Sequence, residues 1–478
     1  MSEIPLAVDL DGTLVRTDTL YESLLKALYA HPLKIFVILF WILKGKAAFK
    51  NHLAQQASLG PDSLPYNRQL LAWLEQQRHA GRTIILCTAS NQTVADSIAQ
   101  HLGIFDQVIA SDGRRNLKGA NKARTLCQLY GQNGFDYVGD CRADLPVWRT
   151  ARHAIVVTHD QSLINEVKAC CEVEKIFSYP KPRPSAWADL LRVKLWPKNL
   201  LLFVPLLAAH QFMALTNWLH LFLALVSFCL CSSCVYIVND LLDLDSDRRH
   251  PRKRLRPFAA GGFPLWLGLA LAPSLLLVSF AVAALVQGPF IYWLLFYFLL
   301  TCAYSWRLKR IVLVDCLTLS VLHTLRIVAG GAAAGVTLSF WLLALSIFLF
   351  LSLAFSKRYT ELQTQLSNNE TKAHGRGYFT DDSPIVLILG VASGFAAVLV
   401  LALYLNSEDV VRLYKSPQIV WGAVLVLLFW VNWVWIQAHR GNMHDDPLVF
   451  AMKDKVSLLS GALFALVMIL GIWDWTWR

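Results

Sequence analysis

Asp9-Leu10-Asp11-Gly12-Thr13 stands directly after a short apolar run, Leu6-Ala7-Val8. A carboxylate leaving a strand in this way can attack phosphorus, a role open to Asp9. Asp11, two residues on, falls on the same face of the strand exit and can protonate a leaving oxygen. Asp140 and Asp144 follow another apolar run, residues 135–138, and offer oxygen ligands to Mg²⁺, a hard ion. Thr88, after the run 83–87, and a lysine can neutralise phosphoryl oxygens. Lys122, which opens a helical pattern 18 residues before Asp140, suits that role better than Lys118. A second constellation lies far along the chain, in Asn239-Asp240-Leu241-Leu242-Asp243-Leu244-Asp245-Ser246-Asp247. On a continuing helix Asp240, Asp243 and Asp247 fall within about 60° of one another, because seven residues make nearly two turns. Three carboxylates so placed repel unless a cation sits between them, and Mg²⁺ bridging a diphosphate is the natural occupant. Arg248, Arg249, Arg252, Lys253, Arg254 and Arg256 follow at once and suit phosphate oxygens.

The elements that must position the first set are short. Apolar runs at 6–8, 83–87, 135–138 and 154–157 read as strands, and helical patterns lie at 94–102 and 121–130. Strands alternating with helices, with polar residues at the strand ends, predict an α/β domain whose parallel sheet carries its site at the carboxyl edge. The rest of the chain differs in kind. Of 478 residues, 55% are hydrophobic and only 16% charged, against about a quarter charged in ordinary soluble domains. Mean hydropathy is +0.44. Residues 1–190 hold 39 charged side chains, and the longer remainder holds 38. Beyond residue 190 come nine apolar segments, about 197–214, 217–238, 264–286, 289–306, 313–334, 339–356, 384–405, 418–438 and 456–473. Several exceed 18 residues without a charge, which soluble cores do not tolerate.

The expected architecture is an α/β parallel-sheet domain over 1–175, a proline-containing linker over 176–195, and an all-α integral membrane domain of nine transmembrane helices over 196–478. This excludes a disordered chain, a coiled coil and a cytosolic enzyme over the full length. With the first domain in the cytoplasm, the inward loops hold 16 Lys and Arg and the outward loops only Arg412 and Lys415. That bias orients the chain in an inner or plasma membrane. It also accounts for the net charge of +11 without nucleic acid as a partner. The ten cysteines have no secreted-domain spacing and read as buried thiols in a reducing compartment. No signal peptide is expected before the first strand.

Asp9, Asp11, Thr88, Lys122, Asp140 and Asp144, in that order, resemble the haloacid dehalogenase phosphatase superfamily over roughly residues 5–160. The resemblance implies a Mg²⁺-dependent phosphomonoester hydrolase, with Asp9 also at the metal, and a helical cap at about 20–75. Within the cap lies an uncharged apolar run, residues 35–43, flanked by Lys34 and Lys44. It is too short to span a bilayer. It reads as an interfacial helix on the membrane or on the second domain, with a buried cap helix as the alternative.

The pattern N-D-x-x-D-x-x-x-D at 239–247 resembles the first aspartate motif of the UbiA prenyltransferase superfamily, intramembrane enzymes of nine helices. This resemblance covers about residues 190–475. Those enzymes usually carry a second motif, D-x-x-x-D, after the fourth helix. Here Tyr304-Ser305-Trp306-Arg307-Leu308-Lys309-Arg310 precedes a single acid, Asp315, and position 319 is Leu319. Arg326 lies eleven residues after Asp315, almost three whole turns, so both face one way. A charge that deep in a span is a functional candidate. Lys357-Arg358-Tyr359-Thr360-Glu361 and Gly375-Arg376-Gly377-Tyr378 add basic and hydroxyl groups.

Together the stretches 247–257, 304–315, 326–330 and 357–362 resemble one branch of that superfamily, the polyprenyl-phosphate phosphoribosyltransferases. The resemblance implies phosphoribosyl pyrophosphate as donor and a polyprenyl phosphate in the lipid bilayer as acceptor. It implies Mg²⁺ held by Asp240, Asp243 and Asp247. Substrate contacts would come from Asn239, Arg248, Lys253, Arg254, Arg256, Tyr304, Lys309, Arg310, Asp315, Arg326, Lys357, Arg358 and Tyr359. The donor's third phosphate, at C5, gives extra bases a purpose where an acid is missing, and the first domain could then remove that phosphate from the product. Two alternatives are isoprenyl transfer to an aromatic acceptor beside an independent phosphatase and, in another class, a transporter with a regulatory soluble domain. A transporter would place its charges near the membrane midplane rather than at the inner boundary.

Overall fold

The computed structural model describes residues 4–30, 53, 59–112, 116–178, 183–210, 215–250, 252–368, 371, 376–406, 414–443 and 446–472. The chain divides into two compact units, one made of Met1–Arg192 with Tyr236–Pro273, the other of Val193–Val235 with Ser274–Arg478.

In the first unit six strands, β1 (Leu6–Val8), β2 (Ile84–Asn91), β3 (Gln107–Ser111), β4 (Asp136–Gly139), β5 (His153–Val157) and β6 (Glu172–Phe177), form one sheet in the order β3-β2-β1-β4-β5-β6. All neighbours are parallel, with Leu6 in register with both Ile84 and Asp136. The winding reverses at β1, so a crevice opens beyond its carboxyl end. Both faces of the sheet are covered. β1 sends Leu6 and Val8 into one apolar cluster with Leu74, Ile84, Ile98 and Val138, and Ala7 into another with Cys87, Leu126, Phe135 and Trp148. Two-sided burial is why the central strands read as continuous apolar runs.

The sheet has two strands that the apolar runs do not predict, β3 and β6, and both are edges. β3 has only three apolar residues, and β6 interleaves charged and apolar side chains, a composition an edge tolerates. β2 runs past the predicted end at Cys87 to Asn91, through a register shift against β3. Asn91 then caps the helix Gln92–Leu102 by accepting the Thr93 N–H, and Gly103 ends it at φ +62°. Helices Thr19–Ala30 and Arg68–His79 lie in or beside the stretch predicted as a cap. The apolar run 35–43 lies outside the described residues.

Among the described residues, seven helices are long and apolar enough to cross a membrane: Leu215–Leu242, Leu265–Ala283, Val314–Ala334, Phe340–Ser367, Thr380–Leu405, Gln418–His439 and Lys455–Ile472. Phe290–Trp306 is a shorter apolar helix. These eight coincide with the second to ninth predicted segments. The first, 197–214, does not form one long α-helix among the described residues. Val193–Phe203 is a 3-10 helix containing Pro197, and Val204–Ala208 is a short α-helix with Pro205 in its first turn. Each proline withdraws an N–H from the ladder that a straight span would need. Many large side chains of these helices stay outside the packing, among them Leu277, Tyr292, Leu299, Phe340, Leu399 and Leu425. Apolar surface on that scale belongs in lipid, and the chain is a multi-pass membrane protein.

Candidate functional site

The carboxyl edge of the sheet gathers the first predicted set. Asp9 leaves β1 with its N–H still bonded to Val138 O at 3.0 Å. Its Oδ1 accepts the Leu10 N–H at 2.8 Å, and its Oδ2 lies 2.9 Å from Lys122 Nζ. Lys122, on the helix Ala120–Tyr130, also donates to the Tyr137 hydroxyl at 2.6 Å, which donates in turn to Asp144 Oδ1 at 2.9 Å. Lys122 rather than Lys118 therefore meets the nucleophile candidate. Asp140 accepts the Thr13 hydroxyl at 3.3 Å, and its N–H points to Asp144 Oδ2 at 3.4 Å. Asp11 accepts the Thr19 N–H at 2.7 Å and the Ser90 hydroxyl. Thr88 is buried, and its hydroxyl oxygen accepts the Ser90 N–H at 3.0 Å. Asp9, Asp11, Lys122 and Asp140 line a cavity of about 920 Å³.

Burial dominates the electrostatics of these carboxyls. Burial raises the Asp9 carboxyl to about 7; Lys122 opposes the rise and Asp144 adds to it. Burial, then Asp9 and Asp144, raise Asp140 well above the ordinary carboxylate range. Asp9, Asp140 and Asp144 thus outnumber their one lysine, and ligand atoms of Asp140, Cys141 and Asp144 lie within 4.8 Å of one another. That excess of buried negative oxygen fits Mg²⁺. Burial, and then Asp18, raise Asp11 to about 6, near the range a general acid needs at neutral pH. Gly12 explains its own presence: φ is +74°, and a Cβ there would lie 2.2 Å from Asp140 Oδ2. Gly12→Ala is expected to cost about 1–2 kcal/mol of stability from the backbone alone. Any phosphate-ester turnover at this site should fall as well, because Asp140 must move; thermal unfolding and phosphate release measure the two effects.

The aspartate loop belongs to the same compact unit. The helix Leu215–Leu242 does not continue unbroken through it: Asp243 joins it to a second helix, Leu244–Arg249. Two bonds still cross the joint, from Asp243 N–H to Asn239 O at 2.9 Å and from Asp247 N–H to Asp243 O at 2.8 Å. Asp240 and Asp247, 4% and 2% exposed, share Arg256 at 3.1 and 2.6 Å. Arg192 reaches both oxygens of Asp240, at 2.8 and 2.9 Å. Burial raises Asp247, and Arg256 opposes that rise. Arg248 is committed to Glu22, at 2.6 Å with both side chains buried. Lys253 and Arg254 are exposed on a short 3-10 turn.

In the second unit Asp315 and Arg326 do not join each other. Asp315 is fully buried with Arg358, at 2.7 Å, and accepts the Tyr378 hydroxyl at 2.8 Å. Arg376 lies 3.8 Å away and donates to the Tyr304 hydroxyl at 2.9 Å. Arg326 donates to Asn199 Oδ1, Leu322 O and the Tyr297 hydroxyl, at 2.9, 2.6 and 2.9 Å. Lys357 and Lys198 converge on Asp446, at 3.1 and 2.7 Å. Burial alone would raise Asp446, but Lys357 and Lys198 outweigh it and hold the carboxyl well below its usual range. Tyr359 pairs with His439 at 2.9 Å, and Lys309 and Arg310 sit on the turn Leu308–Arg310.

Sequence reasoning missed Ser90, Tyr137, Arg192, Lys198 and Asp446. Ser90 and Tyr137 lie within predicted strands or at their ends, where the strand-end position was the available signal. Arg192, Lys198 and Asp446 stand outside any motif.

Two family models match the chain: the UbiA prenyltransferase family over residues 201–453, more than half of it, and haloacid dehalogenase-like hydrolase over residues 6–149. The uncharacterized protein y4nM of Sinorhizobium fredii is 38% identical over 98% of this chain and 91% of its own length. The nodulation protein NoeC of Azorhizobium caulinodans is 34% identical over 57% of this chain and 89% of its own. A decaprenyl-phosphate phosphoribosyltransferase of Mycolicibacterium smegmatis is 29% identical over 58% and 89%. The chain therefore belongs to the UbiA prenyltransferase family and carries a haloacid dehalogenase-like domain at its amino terminus.

Proposed function

We propose that the chain transfers phosphoribose from phosphoribosyl pyrophosphate to a polyprenyl phosphate, with Mg²⁺, and that its amino-terminal domain removes the 5-phosphate from the product. The observation that carries the donor assignment is Asp315. It is the lone acid of the second motif, and Arg358, Arg376 and Tyr378 surround it. With Leu319 where the motif's other acid would stand, the bases beside Asp315 suit a donor with a further phosphate. The relative named decaprenyl-phosphate phosphoribosyltransferase points the same way.

Asp240, Asp243 and Asp247 would hold Mg²⁺, which stabilises the diphosphate as it leaves. Arg256 and Arg192 balance the charge of Asp240 and fix its oxygens. Lys309, Arg310 and Lys357 would contact donor phosphates, and Arg326, held by three partners, presents a fixed positive charge. In the amino-terminal domain Asp9 attacks the phosphomonoester, Lys122 and Thr88 meet the phosphoryl oxygens, and Asp11 protonates the leaving alcohol. The excess of basic residues in alternate loops supports a cytoplasmic amino-terminal domain.

The test is purified protein in lipid with labelled phosphoribosyl pyrophosphate and a polyprenyl phosphate. A labelled lipid that appears only with Mg²⁺ is expected. Phosphoribosyl pyrophosphate should outcompete farnesyl diphosphate by at least about tenfold, roughly 1.4 kcal/mol. Productive geranyl or farnesyl transfer to an aromatic acceptor would replace this reading with ordinary prenyl transfer.

A further inference from the structure

The cavity that holds Asp9 and Asp11 has a wall that the hydrolase chemistry does not need. Besides the carboxylates it is lined by residues 260–267 and by Trp187. Residues 260–267 come from the chain beyond the aspartate loop, yet they belong to the same compact unit as the sheet. The turn is seated closely. Gly261 has φ +68°, and a Cβ there would lie 2.6 Å from Arg16 Cβ and 2.7 Å from Arg16 O. Arg16 itself lines the cavity. Phe263 is buried and meets the Trp187 ring edge-on, with centroids 4.8 Å apart.

Two features of this wall point to its ligand. Trp187 and Trp266 are 43% and 52% exposed, so large aromatic surfaces stand open in a cavity whose floor is built for a phosphate. Trp266 is also the second residue of Leu265–Ala283, a helix apolar enough to cross a membrane. The first turn of such a helix lies at the bilayer edge, where tryptophan rings match an apolar body to a wet surface.

We propose that the segment 260–267 and Trp187 determine the substrate of the amino-terminal site: a phosphomonoester borne by a membrane amphiphile, whose apolar part packs on Trp187 and Trp266. This rests on the hydrolase reading given above but not on the identity of the transferase product. The chemistry is phosphomonoester hydrolysis. An Asp9 oxygen bonds to phosphorus as the ester P–O bond breaks and the alcohol oxygen takes the proton of Asp11; water then hydrolyses the Asp9–phosphorus bond, returns a proton to Asp11 and supplies the fourth oxygen of inorganic phosphate.

The experiment uses the full chain in lipid nanodiscs, with farnesyl monophosphate as the amphiphilic probe and ribose 5-phosphate as the soluble one. The wild type should show at least tenfold higher kcat/KM on the farnesyl ester. Trp266→Ala and Trp187→Ala should each remove most of that preference through KM, leave ribose 5-phosphate turnover within twofold, and recover with phenylalanine in place of alanine. Partitioning of the probe into the nanodisc is common to all variants and cancels in the comparison. Equal activity of the wild type on both esters, or equal loss on both in the alanine variants, overturns the proposal. If the farnesyl preference and its dependence on Trp266 hold while Asp9→Asn leaves the transferase product unchanged, the specificity assignment stands and the product assignment falls.

Discussion

Asp240→Ala should lower transfer of labelled phosphoribose to a polyprenyl phosphate by at least about 10³-fold. A divalent cation stabilises leaving charge by several kcal/mol, and each 1.36 kcal/mol is tenfold in rate. Asp240 is almost wholly buried, with Arg192 and Arg256 on its oxygens. Removing it also leaves Arg192 short of its partner. Breaking a buried pair costs about 3–5 kcal/mol, and the partial exposure of both arginines puts this case at or below the lower end. Asp240→Asn is the companion variant, since it keeps the side-chain volume and loses the charge. Thermal unfolding separates lost fold from lost chemistry. Near-wild-type transfer by a folded Asp240 variant, or transfer by the wild type in excess chelator, removes the metal role.

The second large effect is expected at the other site. Asp9→Asn should abolish phosphate release and cause a lipid-linked ribose that keeps its 5-phosphate to accumulate, while transfer itself continues. The residue's position supports an all-or-none outcome. Asp9 Oδ2 is the oxygen that meets Lys122, and an amide there cannot form the covalent phosphoryl intermediate. The aspartate loop and the hydrolase cavity belong to one compact unit. Such tethering raises the effective concentration of one site for the other's product. Mass spectrometry of the lipid products decides the matter. An unchanged ratio of phosphorylated to dephosphorylated lipid, with the transferase active, assigns the hydrolase to an unrelated soluble metabolite.

Much of this arrangement is legible in the residues alone, for reasons that differ from place to place. Asp9, Asp11, Asp140 and Asp144 are legible because buried parallel strands are short apolar runs and the site must stand at their ends. The edge strands β3 and β6 are not, because an edge tolerates charge and loses the apolar signal. The eight apolar helices announce themselves by long apolar runs with few charges. The first predicted segment does not become one long helix, because Pro197 and Pro205 interrupt it.

Sequence by itself determined which chemistry each stretch could perform. Carboxylates two, three or four residues apart are placed by local backbone geometry, which the chain carries wherever it goes. Only the tertiary structure decided the partners. Arg248, one of six bases within nine residues, is committed to Glu22, 226 positions away, while Lys253 and Arg254 stay exposed. Asp315 pairs with Arg358 rather than with Arg326, although helical spacing puts Arg326 on the same face. Residues three whole turns apart on one helix lie too far apart to touch, so a buried charge is answered from the neighbouring helix instead. The same holds for the segment 260–267, whose place in the cavity of Asp9 and Asp11 follows from packing across the unit and from no local pattern.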